Sequence, residues 1–148
     1  MKKLSENRRA RFDYDIGEKI EAGIELTGQE TKSSKDGRFD ISASYAIIKN
    51  GQAWLLNSKI PPYQPKNTPA DYDPSRTRRL LLHINEIKKL TGLLHQKGIN
   101  LIPLQIYLKN NRIKVGLGIG RSRKKMDKRE VIKRRETQRE IRREVKRE

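Results

Sequence analysis

The sequence predicts a mainly β protein with short α-helices and a strongly basic C-terminal tail. Three observations carry that expectation. Asn50-Gly51 stands between two apolar runs, the strongest short hairpin signal a sequence offers. Ile102, Leu104, Ile106 and Leu108 alternate into Asn110-Asn111, and Ile113, Val115, Leu117 and Ile119 alternate out of it. Finally, the 28 residues from Arg121 to Glu148 hold 14 Lys or Arg, 6 Asp or Glu and only five apolar side chains.

The elements follow in order. Ile20, Ala22, Ile24 and Leu26 alternate with Glu21, Gly23 and Glu25, which predicts a half-buried strand over Lys19 to Leu26. Thr27 to Lys35 is polar and long enough for about two helical turns, closed by Asp36-Gly37. Tyr45 to Lys49 and Gln52 to Leu56 form the first hairpin, with Trp54 expected as a core anchor. Ile60 to Pro74 contains five of the six prolines and no periodicity, so it reads as a long surface loop. Leu80, Ile84, Ile87, Leu90 and Leu94 recur at helical spacing. Glu86 follows His83 by three residues, as in a capping box, and Gly98 suits the stop, so a helix is expected from Ile84 to Lys97.

The last two strands are the clearest. Behind the apolar face of the second lie Lys114, Gly116, Gly118 and Gly120. Glycine weakens a strand, and a row of it points to close approach by another backbone or to tight barrel curvature. At least five short antiparallel strands with one or two helices predict a small closed or nearly closed barrel, OB-like in design, over residues 1–120. Residues 121–148 form the basic tail.

Charge decides the class of partner. The tail carries +8 of the total +17, leaving the body +9. Met126, Val131, Ile132, Ile141 and Val145 form no continuous stripe, so the tail has no side to bury. Helix-favouring residues fill it without Gly or Pro, and Glu136, Glu140 and Glu144 each precede an arginine (Arg139, Arg143, Arg147) by three positions. The expectation is a latent helix that orders on RNA, helical when bound. A membrane surface would ask for a Leu, Phe or Trp face opposite the charge, which the tail lacks, so no membrane partner is expected. The longest apolar runs are three or four residues, and Met1 to Arg11 has no secretory apolar segment, so a cytoplasmic location is expected. With no cysteine, disulfides and thiolate metal sites are excluded.

The chain offers little to catalysis. His83 and His95 are the only histidines, without a nucleophile or paired acid at a telling spacing, and they suit the two ends of the helix. Asp71 and Asp73 read as turn-formers. Gly116 to Gly120 lacks the Gly-Lys-Ser/Thr ending of a phosphate loop and lies within a strand. No catalytic residue, metal or cofactor is expected. The Arg76-Thr77-Arg78-Arg79 run, the Lys32 to Arg38 stretch and the tail instead favour a polyanion. With two Phe and one Trp, grip on phosphate and RNA shape is the expected mode.

Read together, Asn7-Arg8-Arg9-Ala10-Arg11, Glu21-Ala22-Gly23-Ile24, Leu26-Thr27-Gly28, Glu30, Lys32-Ser33, Tyr45, Ile60-Pro61-Pro62-Tyr63, Asp73-Pro74, Arg76 to Leu82, Lys97-Gly98, Pro103, Tyr107 and Asp127-Lys128-Arg129 resemble one family. It is small protein B, the SsrA-binding proteins of bacterial ribosome rescue. The likeness runs from Asn7 to about Arg135, and the order and spacing of the motifs make it specific.

That resemblance implies an OB-like barrel without catalytic activity or cofactor. It would bind the tRNA-like domain of transfer-messenger RNA and carry it to stalled ribosomes for trans-translation. By motif match, Asn7, Glu21 and Leu81 would lie on the RNA-binding surface, with Lys32, Ser33, Arg76 and Arg78 as neighbours. Lys124, Met126, Asp127, Lys128 and Arg129 would act at the ribosomal RNA of the small subunit, the tail probing the decoding region and the empty message channel. A helix over Lys128 to Glu148 would be about 31 Å long. The chain departs from the family's pattern at Ser34 and Phe39, which are expected to alter packing only, and at two places near the tail. Ser122-Arg123-Lys124 replaces the usual Gly-Lys-Lys, and Met126 replaces an aromatic or histidine ring, removing a stacking contact. From composition alone, the alternative is a basic structural ribosomal protein with an OB-like body.

Overall fold

The computed structural model describes residues 1–123, residue 129 and residues 132–139. The elements are β1 (Lys2–Glu6), α1 (Ala10–Asp13), β2 (Tyr14–Ile24), α2 (Gly28–Lys35), β3 (Tyr45–Lys49), β4 (Gln52–Leu56), β5 (Arg78–Leu81), α3 (Ile84–Leu94), β6 (Ile99–Lys109) and β7 (Arg112–Ser122), with a single 3₁₀ turn at Pro65–Asn67. The strands pair antiparallel in the order β1-β6-β3-β4-β5-β2-β7, and β6 pairs again with β7. That last pairing closes six strands into a barrel-like ring, with β1 added outside it along β6. The mainly β, OB-like expectation is what the molecule adopts.

Both hairpins form where their turns predicted. Asn50 and Gly51 sit at φ 53° and 71°, Asn110 and Asn111 at 50° and 62°. Two successive left-handed residues make the turn whose twist matches the strands, and Asn and Gly accept that backbone most readily. In α2 the Thr27 hydroxyl accepts from the Glu30 N–H at 3.2 Å while Glu30 Oε1 accepts from the Thr27 N–H at 2.9 Å. This is a capping box, and Gly37 at φ 79° follows the helix. The 60–74 loop is tied at its ends: the Ile60 N–H donates to Pro74 O at 2.9 Å and the Tyr72 hydroxyl to Ile60 O at 2.6 Å.

The barrel interior is filled by Leu55, Leu80, Ile106, Val115 and Leu117, with Phe39, Ile41, Ile60 and Leu90 sealing it from the loop and helix side, all at 1% exposure or less. In β7 the predicted inward face, Ile113 to Ile119, is confirmed. In β6 it is not. A register shift between Pro103 and Gln105 flips the alternation, so Leu101 and Ile106 face the core while Ile102 and Leu104 lean outward. They cover the glycine row. A Cβ on Gly118 would lie 2.9 Å from both Leu104 Cδ1 and Ile16 Cγ2, and one on Gly120 would lie 3.0 Å from Ile102 Cδ1. The close approach is thus mainly by side chains of the two flanking strands.

Three further expectations need correction. Trp54 lies on the outer face of β4, half-buried, because Ala53 and Leu55 take the inward positions. Leu80 belongs to β5, not to the helical stripe, and Ile84 at the start of α3 is 61% exposed. α3 ends at Leu94 rather than Lys97, with Gly98 at φ 82° in the turn that follows. β1 and α1 were not foreseen from the charged N-terminal stretch.

At the other end, β7 runs to Ser122, past the expected boundary at 120. The Arg123 N–H donates to Asp13 O at 2.9 Å, holding the strand end against α1. Residues 129 and 132–139 are helical and exposed on every side, and Thr137 donates to Lys133 O at 3.0 Å. That agrees with a segment that has no apolar face. Among the described residues no helix is long and apolar enough to cross a membrane.

Candidate nucleic-acid interface

The outward face of β2, β7 and β6 is built around glycine. Glu21 of β2 pairs with Gly116 of β7, which pairs with Gln105 of β6. One rung away, Gly23 pairs with Lys114, and Lys114 with Tyr107. Ile16, Ile102 and Leu104 fill the space that side chains at Gly118 and Gly120 would take, and Gln105 and Tyr107 lie over Gly116, which is only partly buried.

Glu21 is the chemical centre of that face. The buried Tyr107 hydroxyl donates to Glu21 Oε2, and Lys109 Nζ donates to the same oxygen at 3.3 Å. The Tyr107 bond, with help from Lys109 and Lys114, holds the Glu21 carboxyl below its ordinary pKa against a smaller effect of burial. Burial first, and then the bond to Glu21, pushes the Tyr107 hydroxyl upward. The pair is therefore a fixed carboxylate held by a neutral phenol. Exposed Arg8, Arg11 and Lys19 stand around it.

Asn7 reaches the same region from the turn after β1. Its N–H donates to Leu104 O at 2.8 Å and its side-chain amide to Pro103 O at 3.1 Å, which leaves it nine-tenths buried. Leu81 pairs with Gly23 and lies over it, 3.2 Å from where a Cβ would stand, yet remains 45% exposed. Three residues far apart in sequence thus share one face: Asn7, Glu21 and Leu81.

A second group adjoins it at α2. Thr31, Gly23, Leu81 and Lys114 line one cavity of about 250 Å³, linking the helix to the strand face. Lys32 is exposed, its ammonium 5.9 Å from the centre of the Tyr63 ring. Arg76 is partly exposed and donates to Glu30 Oε1 at 2.7 Å.

Two residues expected at the RNA are instead interior. Arg78 is fully buried: its guanidinium bonds Glu30 Oε2 at 2.8 Å through Nε and 2.7 Å through Nη2, and also Ser58 O, Ser58 Oγ, Arg76 O and Pro74 O. Ser33 is also fully buried and donates to Pro61 O at 2.8 Å. Neither has a polar atom to spare for a phosphate. They join α2, the 60–74 loop and β5. Of the tail residues, Lys124, Met126, Asp127 and Lys128 lie outside the described residues; Arg129 is helical and exposed. Sequence reasoning missed Lys19, Gln105 and Lys109 on the strand face. Lys19 and Lys109 alternate with apolar neighbours and could have been found that way, whereas the bulge hides Gln105.

A family model described as SmpB protein matches residues 4–147. The chain belongs to the SmpB family. Curated relatives agree over nearly the whole length. The SsrA-binding protein of Gloeothece citriformis is 49% identical over 146 residues, covering 99% of this chain and 94% of its own. That of Synechococcus elongatus is 49% identical over 147 residues, covering 99% and 96%. A solved structure described as "tmRNA-SmpB: a journey to the center of the bacterial ribosome" superposes with a TM-score of 0.67 at 46% identity, covering 82% of this chain and 85% of the other. The SmpB barrel and the strand face described above therefore lie within the matched region.

Proposed function

We propose that this chain binds the tRNA-like domain of transfer-messenger RNA and delivers it to stalled ribosomes for trans-translation. Relatives named SsrA-binding protein, and a structural neighbour described with tmRNA and the bacterial ribosome, support that reading. The observation that carries it in this molecule is the convergence of Asn7, Glu21 and Leu81 on one face of the barrel. Arg8, Arg11, Lys19, Lys109 and Lys114 stand along that face, with Lys32 and Arg76 at its edge.

The division of labour follows from charge and burial. The barrel presents a rigid, basic surface suited to RNA shape and phosphate. The tail, at +8 and without an apolar side, gains order only from phosphate contact and counterion release. Lys124, Met126, Asp127, Lys128 and Arg129 would act on ribosomal RNA in the decoding region, and the tail in a message channel left empty. The protein works by binding, without catalytic residues or cofactor, in the cytoplasm.

Gel shift of the full chain against a tRNA-like transcript tests the reading. Affinity should exceed that for a random stem by a wide margin and fall with salt in proportion to the phosphates contacted. Equal affinity for both RNAs would overturn it. A structural ribosomal protein would instead appear at equal stoichiometry on all ribosomes, not only on stalled ones.

A further inference from the structure

The root of the basic tail is fastened to the barrel on both of its flanks. β7 keeps pairing to its last residues: Arg121 faces Asp15 of β2 and Ile99 of β6, and Ser122 faces Tyr14. On the β6 side the Ser122 N–H donates to Gly98 O at 3.4 Å. Asn100 Nδ2 donates to Ser122 Oγ and to Gly98 O, each at 3.3 Å. On the β2 side the Arg123 N–H donates to Asp13 O at 2.9 Å, and its Nε donates to Arg11 O and Tyr14 O, each at 3.3 Å.

The acceptors explain why an arginine suits this position. α1 is a single turn, and the last carbonyls of a helix have no partner within it. Arg11 O and Asp13 O are two of these, and a basic side chain near a helix C-terminus can satisfy them. Arg123 is accordingly half-buried, whereas Arg121 and Ser122 are exposed. Ser122 and Arg123 also stand where the family's pattern has Gly and Lys. Glycine has no oxygen for Asn100 to reach, and lysine has no donor at the Nε position. Both side-chain bonds therefore come from departures of this chain.

Stiffness at this join matters if the two parts of the chain engage different sites. Once one segment is bound, the other meets its target at an effective concentration set by the reach and rigidity of the connection. A root that swivels spreads the tail over many directions. A root held at Asp13, Arg11, Tyr14 and Gly98 does not.

We propose that Ser122 and Arg123 form a clamp that sets the direction in which the tail leaves the barrel, so that a barrel seated on RNA aims the tail at its own site. Arg123 is a positioning residue, acting through the carbonyls it holds. The inference rests on the function proposed above, in which barrel and tail engage different surfaces.

Spin labels test it cleanly, because the chain has no cysteine. Lys49→Cys at the end of β3 and Lys125→Cys just past the clamp give one labelled pair. The width of the distance distribution between them is measured in the full chain, alone and with Arg123→Lys, Arg123→Ala or Asn100→Ala. The same three substitutions without labels are assayed for melting temperature, affinity for a tRNA-like transcript and the concentration giving half-maximal cell-free trans-translation. The distribution should widen in all three. The half-maximal concentration should rise roughly tenfold for the Arg123 variants and less for Asn100→Ala, with transcript affinity unchanged. A merely structural strand end would instead lower the melting temperature and leave the width as it was. Asn100→Ala leaves Arg123 in place and serves if Arg123→Ala fails to fold.

Arg123→Lys keeps the charge, so a phosphate contact by Arg123 itself would survive it. If that variant matches the unaltered chain in width and in trans-translation, charge and not the clamp is what counts, and the proposal fails. Unchanged widths in Arg123→Ala would overturn it too, as would widened distributions with undiminished trans-translation. If the unaltered chain supports no trans-translation and does not prefer the transcript over a random stem, the functional reading fails and the positioning role falls with it.

Discussion

Arg78 and Glu30 meet at 2.7 Å with both side chains out of solvent, one at 0% exposure and the other at 1%. A buried ion pair adds stability only when every other polar atom of the pair is also satisfied. Here four carbonyl and hydroxyl oxygens take the remaining guanidinium protons, and the Thr27 N–H and Arg76 take the remaining carboxylate capacity. Removing either partner strands the other. Glu30→Ala or Arg78→Ala should cost about 3–5 kcal/mol, read as a large fall in Tm. A loss below about 1 kcal/mol would show that the site relaxes or admits water.

Acid should attack that same pair. Burial alone would raise the Glu30 pKa, but hydrogen bonds from Arg76 and Thr27 and the Arg78 charge outweigh it, leaving it below the ordinary value. A depressed carboxyl contributes stability that is complete above its unfolded pKa and is lost as pH falls through the folded one. Denaturant titrations below the ordinary carboxylate range should show declining stability. Glu30→Gln should flatten that decline while lowering stability at neutral pH.

Leu81 should separate binding from folding. At 45% exposure it contributes little to the core, so Leu81→Ala should change stability by only about 0.5 kcal/mol. If the strand face is the RNA surface, affinity for the tRNA-like transcript should fall about tenfold, roughly 1.4 kcal/mol. Unchanged affinity in a gel shift would remove Leu81 from the interface.

Body and tail should separate as well. Truncation after Met126 should leave RNA affinity within about twofold, because the strand face and α2 remain intact, while trans-translation measured in a cell-free assay should be abolished. Lost RNA affinity would assign the tail a share of the first task.

Two glycines offer a contrast within one scaffold. Gly28, at the start of α2, has nothing within 4 Å of an added Cβ, so Gly28→Ala should stabilise by about 0.4–1 kcal/mol. Gly118→Ala would press Ile16 and Leu104 at 2.9 Å and should destabilise by about 1–3 kcal/mol. Thermal melts of the two variants should move in opposite directions.

Much of this was legible in the sequence, and the reasons are local. Asn50-Gly51 and Asn110-Asn111 announce their hairpins because few residues tolerate a left-handed backbone. Glu86, three residues after His83, marks the start of α3 because its carboxylate accepts the His83 N–H, here at 3.1 Å. Errors arose where tertiary context decides. The bulge in β6 inverts the faces of Ile102 and Leu104, and no period-two pattern can show an extra residue. Trp54 reads as a core anchor by size, yet the pleat gives the interior to its neighbours. Arg78 reads as an RNA contact because arginine is rarely buried; only the fold reveals the carboxylate it meets. Asn7, Glu21 and Leu81 came from motif likeness rather than from spacing, since nothing local says that three such distant residues share a face.

The placement of β1 has a consequence for how the molecule behaves in a crowd. β3 pairs with β6 at Leu101, while β1 takes the stretch from Gln105 to Leu108. The outer strand that results is short, kinked by a register shift between Lys3 and Ser5, and carries Lys2 and Lys3. Uncovered backbone invites intermolecular pairing, and lysines with an irregular edge deter it. Six residues at the amino terminus thereby act as a selvedge that keeps the weave from joining its neighbours. A chain lacking them would tend to stick to its own copies before it ever met RNA.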